Sequence, residues 1–448
     1  MCDIKALKEE IIDIENEYLY SKSETSDIYR AAEPTLTNLP VEIILKICTF
    51  LDAYFIKQTL SKVCVRFADI LADDFLWKYR VHNKMGNYPI LPNLKVWEEI
   101  SIDWEGVCVQ MDLEEKKWNN VKDSVKHIVI KDVHYASVDT VLLVNKGEIC
   151  ISGGRDRGMA LWKILNIKPH DQCDNTTTFL DAKPHHNRIN AHSGWVWDLA
   201  ADNLNSATKI YSASWDNTVK AWDLETGFTC VEAFRCGMSA LSVAAKDNII
   251  LAGLYSKRIL MFDLRVGPNH VNFYKPHKGP VLALEAYENK LASVSEDRTL
   301  AVWDFVAGKL LTSDIQMPTD IAYPVCISWS PQALYVGDSK GCLHVIHPED
   351  HTYVRTHRIW RLPDTKRSSK ITGCYHSEGN LILCSDKGDI KFLYNCHPPR
   401  EYASLKTTTI DATQLRYQNG VLCIGTCDSA LEFWVPNERL HFTYSFLL

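Results

Sequence analysis

The sequence predicts a mainly β fold, a seven-bladed β-propeller preceded by an α-helical module and a helical linker. Three observations predict it. A tryptophan-centred pattern recurs at steps of 60, 40, 41, 43, 47 and 41 residues. The segments flanking each copy alternate apolar and polar residues with period two. Residues 38–79 instead carry apolar residues at helical spacing.

The repeat is clearest in SASWDNTVKAWD (212–223) and SVSEDRTLAVWD (293–304), which superpose without a gap. Ser212 matches Ser293, Asp216 matches Asp297 and Trp222 matches Trp303. Laid along the chain, that ruler selects the column Trp162, Trp222, Phe262, Trp303, Ile346, Leu393 and Trp434. Apart from the first, its steps stay near the ~40–45 residues of a four-stranded propeller blade. Apolar strands such as KIYSAS, KLASVS and VLCIGT precede each turn, and VKAWDL or LAVWDF follow it.

These units resemble WD repeats. The resemblance implies a hydrogen-bonded tetrad of His, Ser or Thr, Asp and Trp within a blade. It assigns His192, Ser212, Asp216 and Trp222 to one tetrad, and His277, Ser293, Asp297 and Trp303 to a second. Recurrence in separate blades favours a structural network over a single active site. Blades with Ser256, Lys340 or Lys387 at the Asp position should lack the network and be softer. A ring must close, because an open one leaves unpaired edges. HIVIKD (127–132) is expected to supply the outer strand of the blade ending near Trp434, with HFTYSFLL (441–448) as its competitor. The long first step marks an insertion. Within it, TTTFLDA reads as an outer strand, 165–175 as an extra loop, and KPHHNRINA (183–191), with His185 and His186, as an exposed loop.

Ahead of the repeats, Leu39, Ile43, Ile47, Phe50 and Leu51 recur at helical spacing, with Thr37 or Asn38 as cap and Pro40 in the first turn. The stretch resembles an F-box: Leu39-Pro40, Glu42, Ile43, Ile47 and Leu51-Asp52 match its opening, and Val63-Cys64, Phe67 and Leu76-Trp77 its later positions. Phe67 replaces the usual Trp, and the loop between Leu51 and Val63 is about one residue longer than the pattern. The resemblance implies a Skp1-type adaptor and, through it, a cullin. It places the adaptor interface on Leu39, Pro40, Ile43, Ile47, Leu51, Phe55 and Val63. About forty residues are also too few to bury a sufficient core alone.

The predicted organisation is therefore an amphipathic helix and polar spacer at 1–37, the F-box at 38–84, a helical connector at 85–124, the propeller at 125–438 and a strand-like tail at 439–448. The connector contains Trp97, Trp104 and Trp118 and has no Gly/Ser-rich composition, so it reads as a stiff bridge. Ile4, Leu7, Ile11, Ile14 and Tyr18 form a coiled-coil-like stripe little more than two heptads long. It suits a helix folded back on its own chain or weak self-association through residues 4–18.

Composition excludes several classes. A net charge of -7 argues against nucleic-acid or anionic-membrane binding. No apolar run approaches the ~18 residues of a membrane span. The fifteen cysteines lack CxxC pairing and fall largely in apolar runs, as expected of buried thiols in a reducing cytoplasm or nucleus. No phosphate loop, HExxH or GxSxG is present, so no catalytic residue, metal or cofactor is expected.

The reading is a substrate receptor of a Skp1-cullin-F-box ubiquitin ligase, with an unidentified protein as substrate and the propeller as its seat. The alternative is a WD-repeat scaffold without the ligase connection. A peptide-binding rim is expected from Trp195, Trp215, Arg155, Arg258 and Arg298. In phosphopeptide-binding relatives an inner-strand arginine follows the Val of a His-x-x-x-Val pattern; here Trp197 and Leu282 stand there.

Overall fold

The computed structural model describes residues 36–86, 102–167, 177–318, 322–360, 369–377, 379–409 and 411–437. The expected N-terminal stripe and C-terminal tail, Trp97 and most of the 165–175 loop lie outside them. The chain divides into two compact units, one comprising residues up to Leu51 with Phe55–Ala72, the other Asp52–Tyr54 with Asp73 onward.

In the first unit, α1 (Val41–Cys48) begins after Pro40, which serves as N-cap with no side-chain cap; Thr37 and Asn38 form a 3-10 turn instead. Helix α2 (Ala53–Gln58) runs into this unit, and α3 (Val65–Leu71) completes it. Ile44, Cys48, Ile56, Phe67 and Leu71 are buried. Arg66 holds the entry strand by donating to the carbonyls of Thr37 and Leu39, the latter at 2.8 Å.

The second unit holds seven sheets. Six have four strands and one has five. The inner strands are Val138–Val144, Val196–Ala201, Ala240–Lys246, Val281–Tyr287, Pro324–Trp329, Ile371–His376 and Ala412–Gln418, defining blades one to seven. Each packs on its neighbours, and the strand of blade seven packs on that of blade one, closing the ring. Every member of the Trp column lies on a third strand. A buried apolar cluster fills each of the seven seams; Ile128, Cys150, Trp162, Cys423 and Phe433 fill the one between blades seven and one.

Closure uses Val125–Ile130, which pairs antiparallel with Leu431–Pro436 as the fourth strand of blade seven. The insertion departs from expectation in two ways. Thr177–Leu180 does not edge blade one: it adds a fifth, parallel strand to blade seven beside Val125–Ile130. The edge of blade one is His186–Arg188, read from sequence as exposed loop. Both strands are short, and the pairing is decided by the available sheet edge rather than by their own pattern.

Helix α4 (Asp74–Met85) starts at Asp73, whose carboxylate accepts the Phe75 N–H, and stops at Gly86 with φ 80°. Helix α5 (Trp104–Asn119) lies against it. Asp112 is their hub. It accepts from Arg80 at 2.9 Å, from Lys84, and from the backbone N–H of Ala53 at 2.8 Å. At its far end α5 stacks Trp118 on Phe392 of blade six, ring centroids 4.2 Å apart. Glu114 accepts from the Trp118 indole at 2.7 Å and from the Tyr417 hydroxyl at 2.6 Å. The helix is thereby seated on blades six and seven through a satisfied buried network.

Candidate functional site

In the helical module the seven residues assigned to an adaptor remain accessible. Leu39, Ile47 and Leu51 are half-buried; Pro40, Ile43, Phe55 and Val63 are exposed. Sequence spacing did not single out Leu36, Val41 and Val65 for this face, and left Phe50 out of the interface. Phe50 is 81% and Val65 78% exposed. Leu36, Val41 and Val65 stand at the ends of helices or in the turn before one, outside a simple helical stripe, whereas Phe50 belongs to the stripe but was not assigned to the interface.

On the propeller, one end of the ring is built by two recurring elements: the turn between second and third strands, and the loop entering the inner strand. They are tied by one backbone hydrogen bond per blade. The donors are the N–H groups of Arg155, Trp215, Tyr255, Glu296, Ser339, Asp386 and Cys427; the acceptors are the carbonyls of Ser137, Trp195, Ser239, Pro280, Tyr323, Lys370 and Asp411. Each turn also holds one residue in the left-handed region, Arg157, Asn217, Lys257, Arg298 and Ser429 among them, with Gly341 and Gly388 in the other two blades.

The tetrads brace these turns. In blade two His192 Nδ1 donates to Asp216 at 2.8 Å, Ser212 Oγ meets His192 Nε2 at 2.6 Å, and the Trp222 indole donates to Ser212 Oγ at 2.8 Å. Burial pushes the Asp216 carboxyl up, but His192 and Thr218 outweigh it and hold the group well below the usual range. Burial pushes the His192 ring down from its ordinary value against the pull of Asp216.

Blade four departs from the assigned tetrad. His277 bonds Thr299 at 2.8 Å and Ser293 at 2.8 Å, and Thr299 relays to Asp297 at 2.6 Å. Trp303 is not a member: its ring packs on Tyr274 at 3.8 Å, and its N–H makes no well-formed hydrogen bond.

Sequence reading missed a full tetrad in blade one. His134 bonds Asp156 at 3.0 Å and Ser152 at 2.9 Å, and Trp162 donates to Ser152 at 3.3 Å. A search for His some 20 to 24 residues before the turn Asp, the range of the two tetrads assigned from sequence, finds it. Blade five, expected to be soft, has a substitute: buried Asp338 bonds His344 at 3.2 Å, and His344 bonds Thr356 at 3.0 Å. In blade seven the hub is Glu432, fully buried, accepting from His127 at 2.8 Å and from the N–H groups of Thr408 and Thr409.

Of the five rim residues, the structure brings together three. Trp195, Trp197 and Trp215 form a triangle with ring centroids 5.7 to 6.3 Å apart. Tyr255 continues it at 6.1 Å from Trp215. The Arg155 guanidinium lies 5.1 Å from Trp195 and 5.8 Å from Trp197, while its Nε reaches Asp139 at 3.0 Å. Arg258 is not part of this cluster. It immediately precedes the third strand of blade three, and its side chain lies over Phe273 on the outer edge of that blade, 5.3 Å away. Arg298 sits in the turn of blade four, two blades from Trp195. Tyr255 is the member sequence reading left out, and Trp197, two residues from Trp195, completes the triangle from outside the five-residue rim. The signal for Tyr255 was its register with Trp215 in the turn.

Among the described residues no three His, Cys, Asp or Glu side chains are placed to hold a metal ion, the cysteines are free thiols, and no helix is long and apolar enough to cross a membrane.

Comparison with known families adds a second line of observation. A model described as F-box-like matches residues 36–83. The WD domain, G-beta repeat, matches 183–223 and 268–304, which contain the two units with the sequence-assigned tetrads. The chain is 30% identical over 410 residues to F-box/WD repeat-containing protein 9 of Homo sapiens, covering 91% of this chain and 84% of that one. It is 26% identical to F-box/WD repeat-containing protein mec-15 of Caenorhabditis elegans over 90% of this chain and 97% of that one. Ribosome biogenesis protein ytm1 of Pyrenophora tritici-repentis is 37% identical, but over 22% of this chain and 23% of its own.

Proposed function

The chain belongs to the F-box/WD repeat-containing protein family, and from that premise we propose that it is the substrate receptor of a Skp1-cullin-F-box ubiquitin ligase. The exposed face of α1 to α3 takes the Skp1-type adaptor. The tryptophan face of the propeller takes the protein to be ubiquitinated. The chain contributes binding and positioning, and the transfer chemistry belongs to its partners.

One observation carries the reading: a module of three short helices leaves Ile43, Phe50, Phe55, Val63 and Val65 between 44% and 81% exposed. Covering what remains of each is worth roughly 1 kcal/mol or more at the usual ~25 cal/mol per Å². Exposed apolar area of this density is characteristic of a surface that meets a partner. The same residues lie inside the F-box-like match.

Co-expression with Skp1 tests it. The expected result is a stoichiometric complex surviving size exclusion. Phe50→Asp with Val65→Asp should abolish co-purification while leaving the melting transition of the propeller in place. A chain that stays free of Skp1 is a WD-repeat scaffold, and the ligase reading then fails.

A further inference from the structure

The propeller face carries more information about its ligand than its tryptophans alone. All seven inner strands contain a register shift at their second residue, where one extra residue is accommodated. A bulge of this kind re-aims a side chain out of the ladder. The seven residues at that position are Asp139, Trp197, Leu241, Leu282, Val325, Thr372 and Thr413. None is a cation, and one is an acid. A phosphate group entering at this level meets no guanidinium or ammonium at the seven bulge positions; the inner-strand guanidinium of Arg416 already acts on the carboxyl groups of Asp198 and Glu285.

The next ring outward is the fourteen turn and loop positions joined by the sevenfold backbone hydrogen bond. They include the cations Arg155 and Lys370 and the acids Glu296, Asp386 and Asp411. Arg155 is committed: both its Asp139 contacts, at 3.0 and 3.2 Å, and its seat over two indoles would have to be given up to clamp a phosphate. Paired guanidinium–phosphate recognition needs a free fork. Beside it, on blade seven, Asp411 and Asp428 are exposed. Their field is felt at the neighbouring Cys427 thiol, which burial pushes up, and which Asp411 and Asp139 push further against the opposing effect of Arg155. Four consecutive blades thus hold carboxylates on seven, an Arg155–Asp139 pair on one and open aromatic rings on two and three, with the exposed cations Arg157 and Lys257 in the turns of blades one and three. Trp195, Trp215 and Tyr255 are 41%, 39% and 51% exposed.

We infer that this face captures an unphosphorylated peptide segment of the substrate, one that lays an aromatic or aliphatic side chain on Trp195, Trp215 and Tyr255 and directs a nearby lysine or arginine to Asp411 and Asp428. The inference rests on the receptor reading for its biological meaning, and on charge and ring geometry for its chemistry.

A random peptide phage library, which displays no phosphate, is panned on the full chain. The best peptide is then titrated by fluorescence anisotropy, beside copies with Lys→Glu or with phosphoserine flanking the aromatic residue. Enriched peptides should pair a basic with an aromatic or aliphatic residue. Affinity should fall about tenfold or more on Trp195→Ala with Trp215→Ala, as for a hot-spot pair, and about three- to tenfold on Asp411→Asn with Asp428→Asn, whose exposed positions leave folding intact. Tyr255→Ala, also exposed, provides a single-site check on the aromatic arc. Phosphoserine should weaken binding. An acidic consensus, tighter binding of the phosphopeptide, no enrichment, or no effect of the aromatic variants overturns the inference. The arms are separable: failure to bind Skp1 removes the receptor reading alone, and a Skp1 complex that prefers phosphopeptides removes this inference alone.

Discussion

Trp222 and Trp303 occupy the same column of the repeat, yet the structure gives them different energetics. Replacing each by Phe is the perturbation. Trp222 is almost fully buried, and its N–H donates to Ser212 at 2.8 Å. Its loss removes one hydrogen bond worth about 1 kcal/mol net. The indole-to-phenyl shrinkage in a site that cannot collapse adds about 1–2 kcal/mol. The Ser212 hydroxyl keeps His192 at 2.6 Å, so no further orphan is created. The total is about 2–3 kcal/mol. Trp303 is half-buried and leans on Tyr274. Its N–H has no good acceptor, so Phe costs packing only and relieves a poorly satisfied donor, a net of about 1 kcal/mol or less. Urea titration of both variants at matched m-value reads the difference, expected near 1–2 kcal/mol. Hydrogen exchange should show faster opening of the blade-two turn in the first variant alone. Equal destabilisation would refute the claim that the tetrad, rather than the column, carries the stability.

Three other outcomes concern buried groups. Burial lowers the pKa values of His351, His357, His376 and His397 to about 4. A histidine depressed in the fold leaves the unfolded chain the better proton binder. Its stability contribution is therefore complete above the unfolded value near 6.5 and is lost as pH falls toward 4, up to about 2 kcal/mol per group at pH 5. Thermal melts between pH 7.5 and 5 should move down, with His376→Gln flattening the profile; a flat wild-type profile would contradict this. Glu432→Ala strands the amides of Thr408 and Thr409 and the His127 ring, costing about 3–5 kcal/mol. It should raise exchange first in Val125–Ile130, whereas uniform exchange would remove Glu432 from closure. Trp118→Ala should cost about 3–5 kcal/mol and free α5 from blades six and seven, seen as protease cleavage within α5. Resistance equal to wild type would show that the Glu114 network suffices.

The repeat number and the Trp column were legible because period and alternation are long-range sums over many residues; the closing strand was narrowed to two segments, since each is strand-like and only the sheet edge chooses between them. The insertion was not. Thr177–Leu180 and His186–Arg188 are too short for pattern to decide, and their partners depend on which sheet edges the ring leaves open. The tetrads were half-legible. Matching residue types cannot show that Thr299 relays between His277 and Asp297 or that Trp303 turns to Tyr274, since both depend on rotamers set by neighbouring strands. Arg258 was misplaced for a related reason: sequence shows that it adjoins the turn, whereas the start of the third strand directs it to Phe273.

The stability networks and the ligand face are the same construction seen from two sides. Ser193 N–H donates to Asp216 at 3.0 Å, so the tetrad carboxylate holds the very loop that carries Trp195. A Cβ on Gly194 would stand 2.6 Å from the Asp216 nitrogen, so only glycine lets that loop rest on the turn bearing Trp215. From there a chain of hydrogen bonds runs outward: Trp215 N–H to the Trp195 carbonyl, Ser239 hydroxyl to the Trp215 carbonyl, Tyr255 N–H to the Ser239 carbonyl. The three exposed rings are therefore fixed by backbone and by the Asp216 carboxylate as well as by the contacts among themselves. Blade two combines a complete tetrad with two of the exposed rings, whereas blade three has Ser256 in place of the turn Asp and holds Tyr255 through Ser239. A rigid pair of indoles beside a less braced tyrosine is a surface that fixes where a segment docks and tolerates sequence variation at one end of that segment.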